Sequence, residues 1–308
     1  MLRAEQIDMF HREGYLVVDD LFSNLDLEPM IAQLNAEIDL RAKELVASGE
    51  LSRSYDDEGF ETRLASITRE TEKIYWDMDS GRLSGPGIFS VLTHPKLLDV
   101  AESLVGPEII ASSVYRMRIK MPNFRHGTVP WHQDSGYFEP YCDQSLILTV
   151  WVPLVDASEE NGCLQLIPRV HTGGIYRHAA NGQHTKYLEI QNLPAGDILT
   201  VPVRKGGVLL MTNRTPHQSL PNRSTGIRWS ADLRFQSAEL PTNYKTDRGL
   251  AFREPALAEE PLACYPPEAD ILVRSKKRPW DIVTDWRRFT DVRTKHEYHP
   301  VTTRWEGA

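Results

Sequence analysis

The chain has 308 residues and a formal net charge of -8. An acidic chain lacks the field that concentrates nucleic acid or an anionic membrane surface, so neither is an expected partner. Its three cysteines form no CxxC pair, which argues against a disulfide framework and a zinc knuckle. The N-terminus lacks a signal-peptide pattern, and no apolar run approaches the roughly 20 residues of a membrane span. The sequence therefore predicts a cytoplasmic protein.

The N-terminal part of the chain has mostly helical spacing. Apolar residues recur at helical intervals over 4–13 and 25–46, and a further helix is predicted over 95–105. Between the first two, residues 14–18 are short and β-branched, which predicts a strand. Residues 48–73 are polar with few apolar anchors, so they are predicted to form a mobile surface excursion and are a candidate lid.

From residue 109 the pattern changes to short apolar runs separated by Gly, Pro and Asn, which is typical of a β-sandwich or barrel. After residue 237 the chain is rich in proline and charge, and its three tryptophans are expected to pack on the core. We predict one domain over 1–308, with N-terminal helical support and a possible lid (1–107), a β core (108–236) and a C-terminal wrap (237–308). The predicted strands lie within 109–119, 145–153, 163–167, 197–203, 207–212 and 227–235.

The only His-x-Asp of the sequence lies at His132 and Asp134, and His217 follows much later. Two imidazoles and one carboxylate on one octahedral face suit iron(II), because three positions stay open for a cosubstrate and O₂. On an extended strand, residues two apart point to the same face, so His132 and Asp134 can bind the same metal ion. His217 would then be the third ligand of that ion. Alone, a His-x-Asp is also common as a surface turn or an ion pair.

An arginine on a strand-like run supports the metal interpretation. Arg228 lies 11 positions after His217, and Ser230 follows on the same face of the strand. A buried guanidinium can hold the distal carboxylate of a dicarboxylic acid bidentately, with Ser230 adding a hydrogen bond. The alternative is a structural Arg228 that pairs with an internal carboxylate such as Asp232.

These residues resemble the phytanoyl-CoA dioxygenase family of iron(II)- and 2-oxoglutarate-dependent oxygenases. The resemblance runs in order over residues 5–236 and is most specific at 131–138, 217–219 and 228–230. It implies a mainly β fold with flanking helices, a double-stranded β-helix of the jelly-roll, cupin-like barrel type. The chain departs from the family at 120–122 and 168–171, and neither departure touches a predicted metal ligand.

The resemblance also implies the roles of single residues. His132, Asp134 and His217 would bind iron(II), and Arg228 and Ser230 would bind the C5 carboxylate of the cosubstrate 2-oxoglutarate. Two further residues are predicted to neighbour this cosubstrate, namely Ser219 and Trp151. Because halogenating relatives replace the carboxylate that is present here at Asp134, the predicted reaction is hydroxylation or a related oxidation of an unactivated C–H bond by O₂.

Three cations alternate with apolar residues over 116–120, so a strand would place Arg116, Arg118 and Lys120 on one face. If that face lines the barrel mouth, it predicts an acidic substrate or a further anchor for the cosubstrate. If it faces water, it is an ordinary solvated edge. The sequence predicts a small-molecule substrate without identifying it, and leaves the oligomeric state open.

Three other functions compete with this interpretation. A non-catalytic jelly-roll protein would keep a pocket that binds a small molecule without turning it over. A cupin-type metal enzyme that does not use 2-oxoglutarate would employ more histidines in a tighter motif and would have no use for Arg228. A nucleic-acid demethylase is disfavoured by the acidic net charge.

Overall fold

Helices dominate the N-terminal part of the computed structural model, which describes residues 1–79, 83–112, 116–124, 126–138, 140, 143, 145–181, 184–239, 270–295 and 305. The three helices predicted from periodicity are present within one residue of their expected bounds. No helix in these ranges is both long and apolar enough to cross a membrane. The described helices are α1 (Ala4–Glu13), α2 (Asn24–Ala47), α3 (Arg63–Glu70), α4 (Lys73–Met78), α5 (Pro86–Leu92), α6 (Pro95–Val105) and α7 (Trp286–Lys295).

The described strands form two antiparallel sheets and a separate hairpin. The larger sheet has the order β1-β9-β4-β11-β2-β12, with β3 pairing with β11 beyond the end of β2. The smaller sheet has the order β10-β5-β8, and β6 pairs with β7. The strands are β1 (Tyr15–Val18), β2 (Ile109–Ser112), β3 (Arg116–Lys120), β4 (Leu148–Pro153), β5 (Leu164–Leu166), β6 (His178–Asn181), β7 (His184–Ile190), β8 (Leu199–Val201), β9 (Val208–Thr212), β10 (His217–Ser219), β11 (Arg228–Ser237) and β12 (Asp270–Arg274).

The central strand β11 separates two interiors because successive side chains point to opposite faces. Trp229 and Leu233 face the main apolar core, which also holds buried side chains of α2, α5 and α6. On the other face, toward the smaller sheet, Arg228, Ser230 and Arg234 are buried, and Asp232 is half-buried. A second apolar cluster lies between the sheets, where Trp151 and Met211 meet Leu164. The polar face of β11 therefore shares an enclosed space with this cluster.

The segment 48–73 is packed more firmly than its polar composition predicts. Its second half forms α3, which buries Leu64 and Ile67. The ring of Phe60 stacks on Trp229 with centroids 4.8 Å apart, and the Trp229 indole N–H donates to the Phe60 carbonyl oxygen at 3.1 Å. Phe60, Leu64 and Ile67 recur at helical spacing, which is the signal that a low apolar content concealed. The prediction of a surface excursion is wrong for this half.

The C-terminal part contacts both the larger sheet and the N-terminal helices. β12 extends the edge of the larger sheet beside β2, and Phe289 of α7 lies 5.7 Å from Phe89 of α5 between ring centroids. Trp286 packs against the main core, but Trp280 is 76% exposed in a short turn, so core packing was a wrong prediction for that residue. Most of the proline-rich stretch, residues 240–269, lies outside the described ranges.

Candidate metal and cosubstrate site

The three predicted metal ligands converge between the sheets. His132, Asp134 and His217 are all buried, and each offers a ligand atom within 4.8 Å of the other two. The imidazole rings of the two histidines lie 4.2 Å apart between centroids, and Nε2 of His132 is 3.7 Å from a carboxylate oxygen of Asp134. A donor set of two nitrogens and one carboxylate oxygen at this spacing fits a divalent metal such as iron(II).

Backbone carbonyls set the tautomer of both histidines. Nδ1 of His132 lies 2.8 Å from the carbonyl oxygen of Pro130, and Nδ1 of His217 lies 3.0 Å from that of Thr215. A carbonyl oxygen can only accept, so each Nδ1 carries the proton and each Nε2 keeps its lone pair for a metal. Burial, and then the neighbouring His217, lowers the pKa of His132 well below its ordinary value, so this imidazole is neutral at pH 7.

Two residues that sequence reasoning missed hold the carboxylate of Asp134. Thr149 of β4 donates its hydroxyl to Oδ2 at 2.5 Å, and Arg234 of β11 donates to both carboxylate oxygens at 3.3 and 3.0 Å. Burial by itself raises the pKa of Asp134, but Arg234, through its charge and its hydrogen bonds, acts with His217 and His132 to outweigh burial and lower this pKa, so the carboxyl stays ionised. Arg234 lies on the face that Arg228 and Ser230 share, so period-two spacing was the signal that could have identified it.

The backbone around Asp134 differs from the expected extended strand. His132 forms an isolated bridge with His217, and a 3-10 turn begins at Asp134 and ends at Tyr137. Gln133 stabilises the step from the bridge to the turn, because its side-chain amide Nε2 donates to the carbonyl oxygens of Gly174 and Arg214. The side chains of His132 and Asp134 still lie close together, because tertiary hydrogen bonds, and not the alternation of a strand, orient the turn.

A left-handed glycine fixes the loop before His217. Gly14 has φ +82°, where a side chain is strained, and a Cβ there would lie 2.4 Å from Nδ1 of His171. The Thr215 hydroxyl donates to the Gly14 carbonyl oxygen at 2.6 Å, and the Thr212 N–H donates to the same oxygen at 3.1 Å. The junction of α1 and β1 therefore holds in place the loop that precedes His217.

Arg228 fits an anionic ligand. It is fully buried, donates to Ser230 through Nη1, and lies with its guanidinium carbon 5.3 Å from the Trp151 ring centroid. Its Nε–H is buried without a hydrogen-bond partner among the described residues. Burial lowers the pKa of Arg228 to about 10, so it stays charged at pH 7. The carboxylate of Asp232, the alternative partner, accepts instead from Arg118 at 2.7 Å.

One cavity of about 440 Å³, partly open to solvent, connects the metal ligands to Arg228. Of the residues predicted to neighbour the cosubstrate, Ser219 and Trp151 also line it. Ser230 is buried and accepts the hydrogen bond from Arg228. The structure thus brings the seven residues predicted for metal and cosubstrate into one site.

The three cations of β3 point into the same interior. Antiparallel pairing places Arg116, Arg118 and Lys120 opposite Asp232, Ser230 and Arg228, and directly paired residues share a face. Arg118 lines the cavity, Lys120 is buried and Arg116 is half-buried. This face is therefore not a solvated edge.

The chain matches the family model described as Phytanoyl-CoA dioxygenase (PhyH) over residues 10–230. It is 25% identical over 270 residues to the mouse phytanoyl-CoA dioxygenase domain-containing protein 1, covering 77% of this chain and 91% of that protein. It is 27% identical over 230 residues to a probable alpha-ketoglutarate-dependent hypophosphite dioxygenase of Stutzerimonas stutzeri, covering 72% of this chain and 74% of that protein.

Solved structures share the fold at lower identity. The apo form of the non-heme monooxygenase ThoJ superposes with a TM-score of 0.55 at 20% identity, covering 94% of this chain and 99% of the other. The epimerase SnoN, solved with Fe³⁺, alpha ketoglutarate and nogalamycin RO, gives a TM-score of 0.54 at 20% identity over 88% of this chain and 98% of the other. These likenesses confirm the jelly-roll fold, although the sheets of the described residues do not close into one barrel. The chain belongs to the phytanoyl-CoA dioxygenase family and is an iron(II)- and 2-oxoglutarate-dependent dioxygenase.

Proposed function

We propose that this dioxygenase hydroxylates, or otherwise oxidises, an unactivated C–H bond of a small organic acid. His132, Asp134 and His217 hold the iron(II), and Arg228 holds the distal carboxylate of 2-oxoglutarate. The observation that carries the proposal is that three metal-ligand atoms within 4.8 Å of one another and a buried arginine line one cavity. Iron(II) and 2-oxoglutarate, when bound, supply the activation of O₂ and release succinate and CO₂.

The protein's own contribution is positioning and shielding. The carbonyls of Pro130 and Thr215 keep both histidine rings in the metal-binding tautomer, and Arg234 donates hydrogen bonds that hold the Asp134 carboxylate in place. Ser230 fixes Nη1 of Arg228, which leaves the Nε–H for the cosubstrate carboxylate. The apolar walls at Trp151, Leu164 and Met211 limit the access of water to the reacting atoms.

Arg118 supports an acidic substrate. Its guanidinium lines the cavity while Nε donates to Asp232, so the side chain is held in place before any substrate binds. The substrate is proposed to be compact, because the cavity that Arg118 lines also contains Arg228, where the cosubstrate is proposed to bind. With a net charge of -8, we propose no nucleic-acid partner, and we retain the cytoplasmic location as a proposal.

Anaerobic reconstitution with iron(II) and 2-oxoglutarate tests the cofactor assignment. We expect the weak visible metal-to-ligand charge-transfer band of such complexes, followed by succinate release when O₂ is admitted. Succinate release is then compared between small organic acids and their amides, in the wild type and in Arg118→Met. Stimulation by acids but not by amides, lost in the variant, is expected. A folded wild type without the band would indicate a binding protein or a different metal enzyme.

Removing Arg234 is expected to weaken metal binding. The variant Arg234→Met removes two hydrogen bonds to the buried Asp134 carboxylate, so the affinity of this variant for iron(II) should fall by about a hundredfold. Thr149→Val removes one hydrogen bond to the same carboxylate, and its affinity for iron(II) should fall by about tenfold. Competition with a chromogenic chelator measures both affinities. Wild-type affinity in Arg234→Met would show that the carboxylate needs no support from this arginine.

A further inference from the structure

Lys120, at the end of β3, has a buried side-chain amine that the proposed mechanism leaves unused. Only 3% of its surface is exposed. Its Nζ donates to the Ser219 hydroxyl oxygen at 2.8 Å and to the Leu220 carbonyl oxygen at 2.6 Å, and both acceptors are uncharged. No salt bridge joins Lys120 to a carboxylate among the described residues. A buried ammonium without an anion is costly, so this place in the fold favours an anionic ligand.

The surroundings fix the path of the lysine. Lys120 is directly paired with Arg228 on the neighbouring strand, so both side chains lie on the interior face. A Cβ at Gly162 would lie 2.4 Å from Cδ of Lys120, and this glycine has φ +90°. The Asn222 amide donates to the Lys120 carbonyl oxygen at 2.8 Å. The lysine is therefore held beside Arg228 rather than free to swing to solvent.

Ser219 connects Lys120 to the cavity. Its hydroxyl oxygen accepts from Nζ of Lys120 and also from the Val129 N–H at 3.0 Å. A hydroxyl has two lone pairs and one proton, so two accepted hydrogen bonds leave the proton to donate. Ser219 and Arg228 both line the cavity. Together they can present an O–H and an N–H donor to one carboxylate.

The charge of Lys120 depends on what occupies this end of the cavity. Burial, then the charges of Arg228 and Arg118, lowers the pKa of Lys120 to about 6. The remaining group that faces it is Cys163, and burial raises the pKa of this thiol to about 11, so it is uncharged at pH 8. Without an anion, Lys120 is therefore mostly neutral at pH 8. A carboxylate at Arg228 offsets the repulsion and raises the pKa of Lys120.

We propose that Lys120 is a positioning residue of the cosubstrate site, which orients the Ser219 hydroxyl and takes up one proton from solvent when a dicarboxylate binds at Arg228. The amine becomes an ammonium, and the proton comes from the buffer. The inference rests on the proposed role of Arg228 in 2-oxoglutarate binding.

Anaerobic titration calorimetry of the iron(II) protein tests it, at pH 8 in two buffers that differ in ionisation enthalpy. The ligands are 2-oxoglutarate and 2-oxobutyrate, which has the same keto-acid group but no distal carboxylate. We expect the wild type to take up about one proton with 2-oxoglutarate and none with 2-oxobutyrate. In Lys120→Met the uptake should vanish, and the 2-oxoglutarate affinity should fall about tenfold. Ser219→Ala should lose affinity similarly yet keep the proton uptake.

Two results would overturn the inference. One is equal proton uptake in the wild type and Lys120→Met, and the other is equal uptake by the wild type with both keto acids, which needs no variant. Lys120→Met is expected to keep or raise the melting temperature, since it replaces a buried amine by an apolar chain of similar length. Failure of the proposed function looks different: neither keto acid would bind the iron(II) protein, or 2-oxoglutarate would bind with no dependence on Arg228.

Discussion

Replacing His217 by alanine is expected to reduce succinate formation at least about a thousandfold, which corresponds to about 4 kcal/mol. His217 supplies one of three protein ligands, and its Nε2 is the only ring nitrogen left for a metal once Nδ1 donates to the Thr215 carbonyl oxygen. Two ligands from His132 and Asp134 do not complete a facial triad. Iron content after gel filtration and succinate release measure the loss.

The control for this variant is His94→Ala. His94 lies 3.2 Å from a carboxylate oxygen of Asp26, where α2 and α6 meet, and it does not line the cavity. It should retain iron and activity. If His217→Ala bound iron(II) with wild-type affinity, the metal would lie elsewhere than between these three side chains.

Truncating Arg228 is expected to raise the dissociation constant of 2-oxoglutarate by about a hundredfold, because charge-assisted hydrogen bonds to a buried carboxylate are lost. Metal binding should persist, since Arg228 touches none of the three ligands in the described contacts. Arg228→Lys restores a charge but not the planar fork, so it should recover only part of the affinity. The charge-transfer band, titrated with 2-oxoglutarate, gives each constant.

Arg274→Ala is the matched control for Arg228→Ala. Arg274 lies on the edge strand β12 and pairs with Asp99 and Glu102, both at 2.8 Å, so the same change in net charge is made outside the cavity. Its affinity for 2-oxoglutarate should equal that of the wild type. If Arg228→Ala had the wild-type dissociation constant, the distal carboxylate would bind another cation, such as Arg118, which also lines the cavity.

Local patterns of the sequence were sufficient to predict the position of many helices and strands. Helical spacing predicted α1, α2 and α6, and runs bounded by turn residues predicted β2, β3, β4, β5, β8, β9 and β11. The strands β6, β7 and β10, the last of which carries His217, lie outside the predicted runs. The predicted elements have a dense local signal, because apolar periodicity reflects the face that each buries. Two of the short helices, α4 and α5, have too few turns for such a signal, and α3 was hidden in a polar stretch.

Residue type and order, together with the resemblance to the phytanoyl-CoA dioxygenase family, predicted His132, Asp134, His217 and Arg228 as the ligand set, although the residues alone left a surface turn and a structural arginine open. The tertiary structure decided what surrounds them. Arg234 and Thr149 reach Asp134 from strands 100 and 15 residues away, and Lys120 reaches Ser219 across 99 residues. Strand periodicity determines which face a side chain occupies, but the partner on that face depends on strand pairing between distant segments, which no local pattern encodes.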